Sequence, residues 1–334
     1  MISIVMPLFN EEKYIGNCID SLLQQDYPQN DMEWIFVDGC STDKTKEIVL
    51  EYQKKYPKLI RLYDNPNKTV PYAMNIGIKN SNGKYIIRLD AHAEYEKNYF
   101  SKCVENLDKT GADNVGGFAI TKARTKTGNF IAKMLSSKFG VGDSQFRING
   151  KGGYVDTVPF GAFRREVFTK WGGFDERLDR NQDNEMNYRI RKNGGKIYLS
   201  NEIKLSYYCR DSLKGINKMA RQNGMWNIIA SRLCPGSMRL RHFVPLLFVL
   251  SVFGLIGFGF IHWIFWAILG AEMFLYFSLD FVFSIKAASR FKDFITLFFI
   301  FPLFHSNYGI GSLLGILKLF SKKYRKGTYK PQSI

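Results

Sequence analysis

Little in the chain could support redox, zinc or disulfide chemistry. Its cysteines, Cys18, Cys40, Cys103, Cys209 and Cys234, are odd in number and widely spaced, with no CxxC pair. That excludes a disulfide framework and a zinc ribbon, and reads as reduced cytosolic thiols. No GxGxxG follows the first apolar run and no GxxxxGKS/T occurs anywhere, so dinucleotide and P-loop phosphate sites are excluded. Acidic residues are scarce, 30 Asp and Glu against 47 Lys and Arg, for a formal net charge of +17. A basic chain invites a nucleic-acid partner, yet no recognised nucleic-acid motif accompanies this charge. Nor does a signal peptide precede the first strand: Met1-Ile2-Ser3-Ile4-Val5 enters it at once, so the soluble part is expected to face the cytosol.

Apolar sequence, by contrast, is abundant in the last quarter of the chain. Phe243 to Ile261 carries no charge, and Trp263 to Phe283 carries only Glu272 and Asp280. Each is close to the ~20 residues of a spanning helix. A third run, Phe294 to Leu317, is interrupted by His305-Ser306-Asn307-Tyr308-Gly309-Ile310-Gly311, and a re-entrant or interfacial segment is expected there. Cations flank these runs: Lys214, Lys218, Arg221, Arg232, Arg239 and Arg241 before the first, and Lys286, Arg290 and Lys292 between the second and third. Lys318, Lys322, Lys323, Arg325, Lys326 and Lys330 follow the last. Such flanks stay on the cytoplasmic side, which two full spans and one returning segment satisfy. The expected organisation is a soluble domain over 1–210, basic amphipathic interfacial helices over 211–242, and a membrane region with a basic tail over 243–334. Anionic inner-leaflet lipids and a lipid-borne diphosphate are the partners this charge suits, in place of nucleic acid.

The soluble part alternates apolar runs with amphipathic ones. Ile2 to Phe9, Glu33 to Val37, Ile60 to Tyr63 and Tyr85 to Leu89 read as strands. Helices are expected from Glu11 to about Gln25 with Asn10 as cap, from a Ser41-Thr42-Asp43 cap to Tyr56, and from Pro71 to about Lys79. A further strand is expected over Thr157 to Phe163. This alternation predicts an α/β fold with a parallel sheet. Ligands of such sheets sit beyond the carboxyl ends of the strands, and polar residues gather there: Asn10 and Glu11 after the first, Asp38 after the second, Asp90 and His92 after the fourth. Period-two geometry puts Asp90 and His92 on one face. A turn in which Asp90 only caps backbone explains one such end, but not three. Carboxylate oxygen and imidazole nitrogen suit Mn²⁺, and Mg²⁺ with more water and phosphate oxygen.

Farther on, Asn181-Gln182-Asp183-Asn184-Glu185 opens a helix that stops at Gly194-Gly195. Asp183 and Glu185 complement a helix dipole there; an acid in that place is equally a general base for an incoming hydroxyl. Gln222 and Trp226 are four apart and share one helix face, either closing the acceptor side of a pocket or, for Trp226, anchoring at a membrane surface.

Taken in order, PLFNEE, VDGCSTDKT, NPNKTVPYAMNIGI, RLDAHAEY, VPFGAFRREVF, GGFDERLDRNQDNEMNYRIRKNGGKI and HSNYGIGSLLGIL resemble the blocks of the family 2 inverting glycosyltransferases with the GT-A fold. The likeness covers nearly the whole chain and is greatest to the bacterial exopolysaccharide enzymes of the succinoglycan type. It implies a Rossmann-like GT-A domain followed by a helical membrane region. It also implies that Pro7, Asn10 and Glu11 shape a nucleotide pocket, that Asp38 meets the base and that Lys68 sits near the nucleotide. Asp90 corresponds to the first acid of the DXD motif, binding metal and diphosphate, and His92 stands where many relatives carry the second Asp. Asp183 matches the catalytic base, with Gln182 in place of a common Glu; Gln182, Glu185, Gln222 and Trp226 fall on the acceptor side. Gln222 to Trp226 is similar to the QxxRW motif of processive synthases, but Met225 replaces its Arg, which favours addition of one sugar per acceptor.

The resemblance therefore implies a nucleotide-sugar donor, UDP-hexose or UDP-N-acetylhexosamine, with a Mn²⁺ or Mg²⁺ cofactor and a polyprenyl-diphosphate-linked saccharide as acceptor. The expected place is the bacterial cytoplasmic membrane, with the catalytic domain in the cytosol. A polyprenyl-phosphate glycosyl synthase, a processive polysaccharide synthase and an inactive nucleotide-sugar-binding scaffold are the competing readings.

Overall fold

Runs of β-branched and aromatic residues that are buried along nearly their whole length make the centre of one sheet. The computed structural model describes residues 1–148, 151–321 and 324 of the 334; Gly150 and the tail cations Lys322, Lys323, Arg325, Lys326 and Lys330 lie outside the described residues. The first strands and helices are β1 (Ile2–Leu8), α1 (Ile15–Leu23), β2 (Met32–Asp38), α2 (Thr45–Lys55), β3 (Ile60–Asp64), α3 (Val70–Lys79) and β4 (Tyr85–Arg88). Then come β5 (Ala93–Tyr95), α4 (Tyr99–Thr110), β6 (Asn114–Lys122), α5 (Lys126–Leu135), α6 (Lys138–Val141), β7 (Gly153–Tyr154) and β8 (Ala162–Arg164). The rest are α7 (Glu166–Trp171), α8 (Gln182–Lys192), β9 (Ile197–Tyr208), α9 (Leu213–Leu233), α10 (Val244–Gly259), α11 (Ile264–Ala287) and α12 (Phe291–Lys318). They fall into two compact units, residues 1–120 with 151–207, and 121–148 with 208–321 and 324.

In the first unit the sheet order is β3-β2-β1-β4-β8-β6-β9-β5, with β7 beside β9. β3, β2, β1 and β4 are mutually parallel, so their carboxyl ends share one edge; β8 then runs antiparallel to β4. The register sets Leu8 beside Asp38, Asp38 beside Asp64 and Val5 beside Arg88. Trp34 and Phe36 are fully buried, as strands covered on both faces require. The first helix starts later than its sequence suggests. Asn10 takes a positive φ of 55° and spends its side chain on the next loop, Oδ1 accepting from Thr42 N at 2.8 Å, so it is not the helix cap. The strand expected over Thr157 to Phe163 is confined to its end, at β8.

The second unit holds the apolar helices. α11 and α12, with 24 and 28 residues, are long and apolar enough to cross a membrane; α10 is shorter, at 16. The interruption expected at His305 to Gly311 does not occur, since α12 runs straight through it. The reason is packing. A Cβ on Gly311 would meet the backbone of Arg221, one on Gly315 the backbone of Met225, and one on Gly309 Val249 and the Pro245 carbonyl. The glycines thus let α9 and α10 approach α12 closely, as small residues do between apolar helices. The polar side chains are matched as well: Arg221 Nε donates to Asn307 Oδ1 at 2.6 Å, Asn227 to the Tyr308 hydroxyl at 2.6 Å, and the His305 ring lies between the Tyr276 hydroxyl and the Phe139 carbonyl. Glu272 accepts from Ser251 of α10, and Asp280 from Ser284 one turn along α11.

Candidate active site

The shared carboxyl edge of β1 to β4 collects the polar residues. A cavity there is lined by Pro7, Glu11, Lys68, Arg88, Asp90 and His92, with Asn65 and Thr69 among its other walls. Asn10, Cys40 and Lys68, at the ends of three successive strands, all have positive φ (55°, 60° and 63°), as do Phe160 and Asn181 (47° and 64°). Non-glycine residues held in this region cost free energy, and such strain gathers at functional sites.

Asp38, the last residue of β2, is 1% exposed. Its Oδ2 accepts from Ser41 N at 3.0 Å, while Oδ1 has no hydrogen-bond partner among the described residues. A buried carboxylate oxygen without a donor is costly, and a ligand N–H would satisfy it. Asp90 presents its oxygens 3.7 Å from Arg88 Nη2 and 4.0 Å from His92 Nε2. His92 Nδ1 is 3.4 Å from Glu11 Oε1, and the ring meets Tyr207 edge-on at 5.2 Å. Burial alone would lower the His92 imidazolium, but the contact with Glu11 and the charge of Asp90 outweigh it and push it up to about 10.

Among the described residues, no three or more His, Cys, Asp or Glu side chains form a group that could hold a metal ion. Asp90, and His92 once its imidazolium gives up a proton, fit a cation that takes its other ligands from a diphosphate, the usual habit of Mg²⁺ and Mn²⁺ at nucleotides. Glu11 on Nδ1 would then orient the ring with Nε2 toward the ion, as carboxylates behind histidine ligands do.

Asp183, second residue of α8, is brought to the same place: the Arg88 guanidinium donates to its Oδ1. Gln182 is buried beside it, and its Oε1 has no hydrogen-bond partner among the described residues. Glu185, expected on the acceptor side, points elsewhere. It is 5% exposed and its two oxygens are taken by Arg189, which also holds the carbonyls of Trp171, Gly172 and Gly173. Gln222 and Trp226 belong to α9 in the second unit, where Trp226 is buried with its ring edge-on to Tyr324, which is not the setting of an exposed membrane anchor.

Three residues of the site went unread in the sequence. Arg88 falls in the strand expected over Tyr85 to Leu89, and its signal is that a charge inside Ile86-Ile87-Arg88-Leu89 needs a partner. Phe160 and Tyr207 carry no such signal: the Phe160 ring lies 5.7 Å from the Arg88 guanidinium and stacks at 5.9 Å on Tyr207, joining residues remote in sequence.

Residues 3–172 match the family model described as Glycosyl transferase family 2. The chain is 31% identical over 326 residues, 95% of its own length and 97% of the relative's, to the dolichyl N-acetyl-alpha-D-glucosaminyl phosphate 3-beta-D-2,3-diacetamido-2,3-dideoxy-beta-D-glucuronosyltransferase of Methanococcus voltae. It is 31% identical over 256 residues to the succinoglycan biosynthesis protein ExoA of Rhizobium meliloti, covering 75% of this chain and 76% of that one. In fold it is similar to a mannosyltransferase of Pyrobaculum calidifontis solved with GDP-Man and Mn²⁺, with a TM-score of 0.58 at 16% identity over 96% of this chain and 87% of that one. The GT-A architecture expected from the sequence is thus the architecture observed, and the chain belongs to glycosyl transferase family 2 as a glycosyltransferase.

Proposed function

We propose that the protein moves a sugar from a UDP-sugar, with inversion, onto a lipid-linked saccharide during assembly of an exopolysaccharide, capsule or related glycan. One observation carries the reading: Asp183 and Asp90, base and donor-site acid, meet a single guanidinium at the end of β4. The names of the relatives support the acceptor class, one acting on a dolichyl-linked sugar phosphate and one in succinoglycan biosynthesis.

The free Oδ1 of Asp38 is the acceptor for an N–H of the nucleobase, and Pro7, Glu11 and Lys68 wall the cavity that takes the donor. When bound, a divalent metal held by Asp90, His92 and the diphosphate would neutralise charge on the leaving group. The acceptor hydroxyl attacks the anomeric carbon from the face opposite the leaving group. Asp183 takes its proton, the new glycosidic bond forms as the bond to UDP breaks, and the configuration inverts. The outward-facing apolar helices suit a lipid-borne acceptor. The cationic flanks before α10 and between α11 and α12 favour the cytosolic side of the membrane for both.

The test is UDP release by the detergent-solubilised protein across a panel of UDP-sugars, with Mn²⁺, Mg²⁺ or EDTA, and with a lipid extract as acceptor. Turnover should require metal and lipid, vanish in Asp90→Ala, and fall by about 10²–10⁴-fold in Asp183→Asn. Full activity of Asp183→Asn would point instead to a lipid phosphate as acceptor, which needs little deprotonation.

A further inference from the structure

We propose that Arg88 is the positioning residue for the base, an inference that rests on Asp183 holding that role. Arg88 closes β4 and is 4% exposed. A buried guanidinium is tolerated only where carboxylates pair it, and here it has two: Asp183, 95 residues away in sequence, and Asp90, two residues on. Its open side is covered by Phe160, which is itself held at a φ of 47°.

The consequence is geometric. Asp183 sits at the start of a helix with its side chain 27% exposed, and without a partner its carboxylate would sample several rotamers. The planar fork of arginine fixes a carboxylate in direction as well as distance. Because the same fork faces Asp90, the proton acceptor and the donor-binding acid are held relative to one another by one rigid group. Once a cation engages Asp90, Asp183 is left as the fork's remaining anionic partner. A lysine would supply the charge without the two-sided geometry, so the residue type itself is part of the argument.

Purely structural neutralisation of two acids would look similar at rest, and kinetics separates the two. Arg88→Met, Arg88→Lys, Asp183→Asn and the Arg88→Met/Asp183→Asn double variant are assayed for transfer, with UDP affinity measured in Mn²⁺. Misplacing a reacting group costs on the order of 10²-fold. Arg88→Met should therefore lose about 10²-fold in kcat, and Arg88→Lys should recover about tenfold of it, both keeping UDP affinity within about threefold. The double variant should be no slower than Asp183→Asn alone, because residues acting as a unit are not additive. Multiplied losses in the double variant, or UDP affinity falling in step with kcat, overturn the proposal. If Arg88→Met does not fold, Arg88→Lys decides: lowered kcat at preserved affinity sustains it, and unchanged kcat overturns it. Full-speed Asp183→Asn sinks the base reading beneath, whereas slow Asp183→Asn beside fast Arg88→Met sinks only the placement of Arg88.

Discussion

His92 stands where the family resemblance implies a second carboxylate, and its surroundings enclose it with acids. Glu11 at 3.4 Å and Asp90 at 4.0 Å enclose it, and together they outweigh burial and push its pKa up to about 10. The folded state then binds a proton that the unfolded state, near 6.5, releases. The stability His92 contributes is fully present below about pH 6.5 and is lost as pH rises toward about 10. Unfolding of wild type and His92→Gln, followed in EDTA across that range, should differ most at the acid end and converge at the alkaline end. A constant difference would show that the imidazolium is not paired in this way. The convergence of Glu11 and Asp90 on one cavity was legible because both follow strand ends. The site was illegible where a distant side chain turns in, as Phe160 and Tyr207 do, because no local pattern records a contact between remote segments.

At the scale of elements, the Gly309-Ile310-Gly311 stretch shows how the same residues can be misjudged. Glycine and polar side chains read as a helix interruption in water, but between apolar helices they are an interface. Gly311 faces the Arg221 backbone and Gly315 that of Met225, whereas Gly270 of α11 has open space around it. Gly311→Ala should therefore cost about 1–3 kcal/mol by overpacking, while Gly270→Ala should stay within about 0.5 kcal/mol of wild type. Thermal unfolding of both in one detergent checks the contrast, and equal effects would mean that α9 does not pack on α12 at these glycines. The alternation that predicted β1 to β4 and α1 to α3 succeeded because these elements lie close in sequence, with α3 packed on β1 and β2 and α2 on β3. The strand expected at Thr157 to Phe163 pairs only at its end, and the interruption expected at His305 to Gly311 is absent because those residues pack on α9, far earlier in sequence at Leu213–Leu233.

Across the whole molecule, the open question of charge against apolarity has a measurable answer. A net charge of +17 draws a protein to anionic surfaces, but that attraction is screened within about 3 Å at 1 M salt. The apolar helices act differently. Along α11 only Asp280 and Ser284 are buried, and Phe274, Leu275 and Phe281 stand 77%, 63% and 47% exposed. Soluble monomers rarely leave such a surface uncovered, and the helix's 24 residues extend about 36 Å, against about 30 Å of bilayer hydrocarbon. A core helix of a soluble protein would have the opposite burial. The protein should accordingly stay with the membrane pellet through washes in about 1 M salt and in alkaline carbonate, and enter solution only with detergent. Release by salt alone would mean that the cationic flanks, and not α11, hold it to the lipid, and the case for a lipid-borne acceptor would lose the support it draws from these helices.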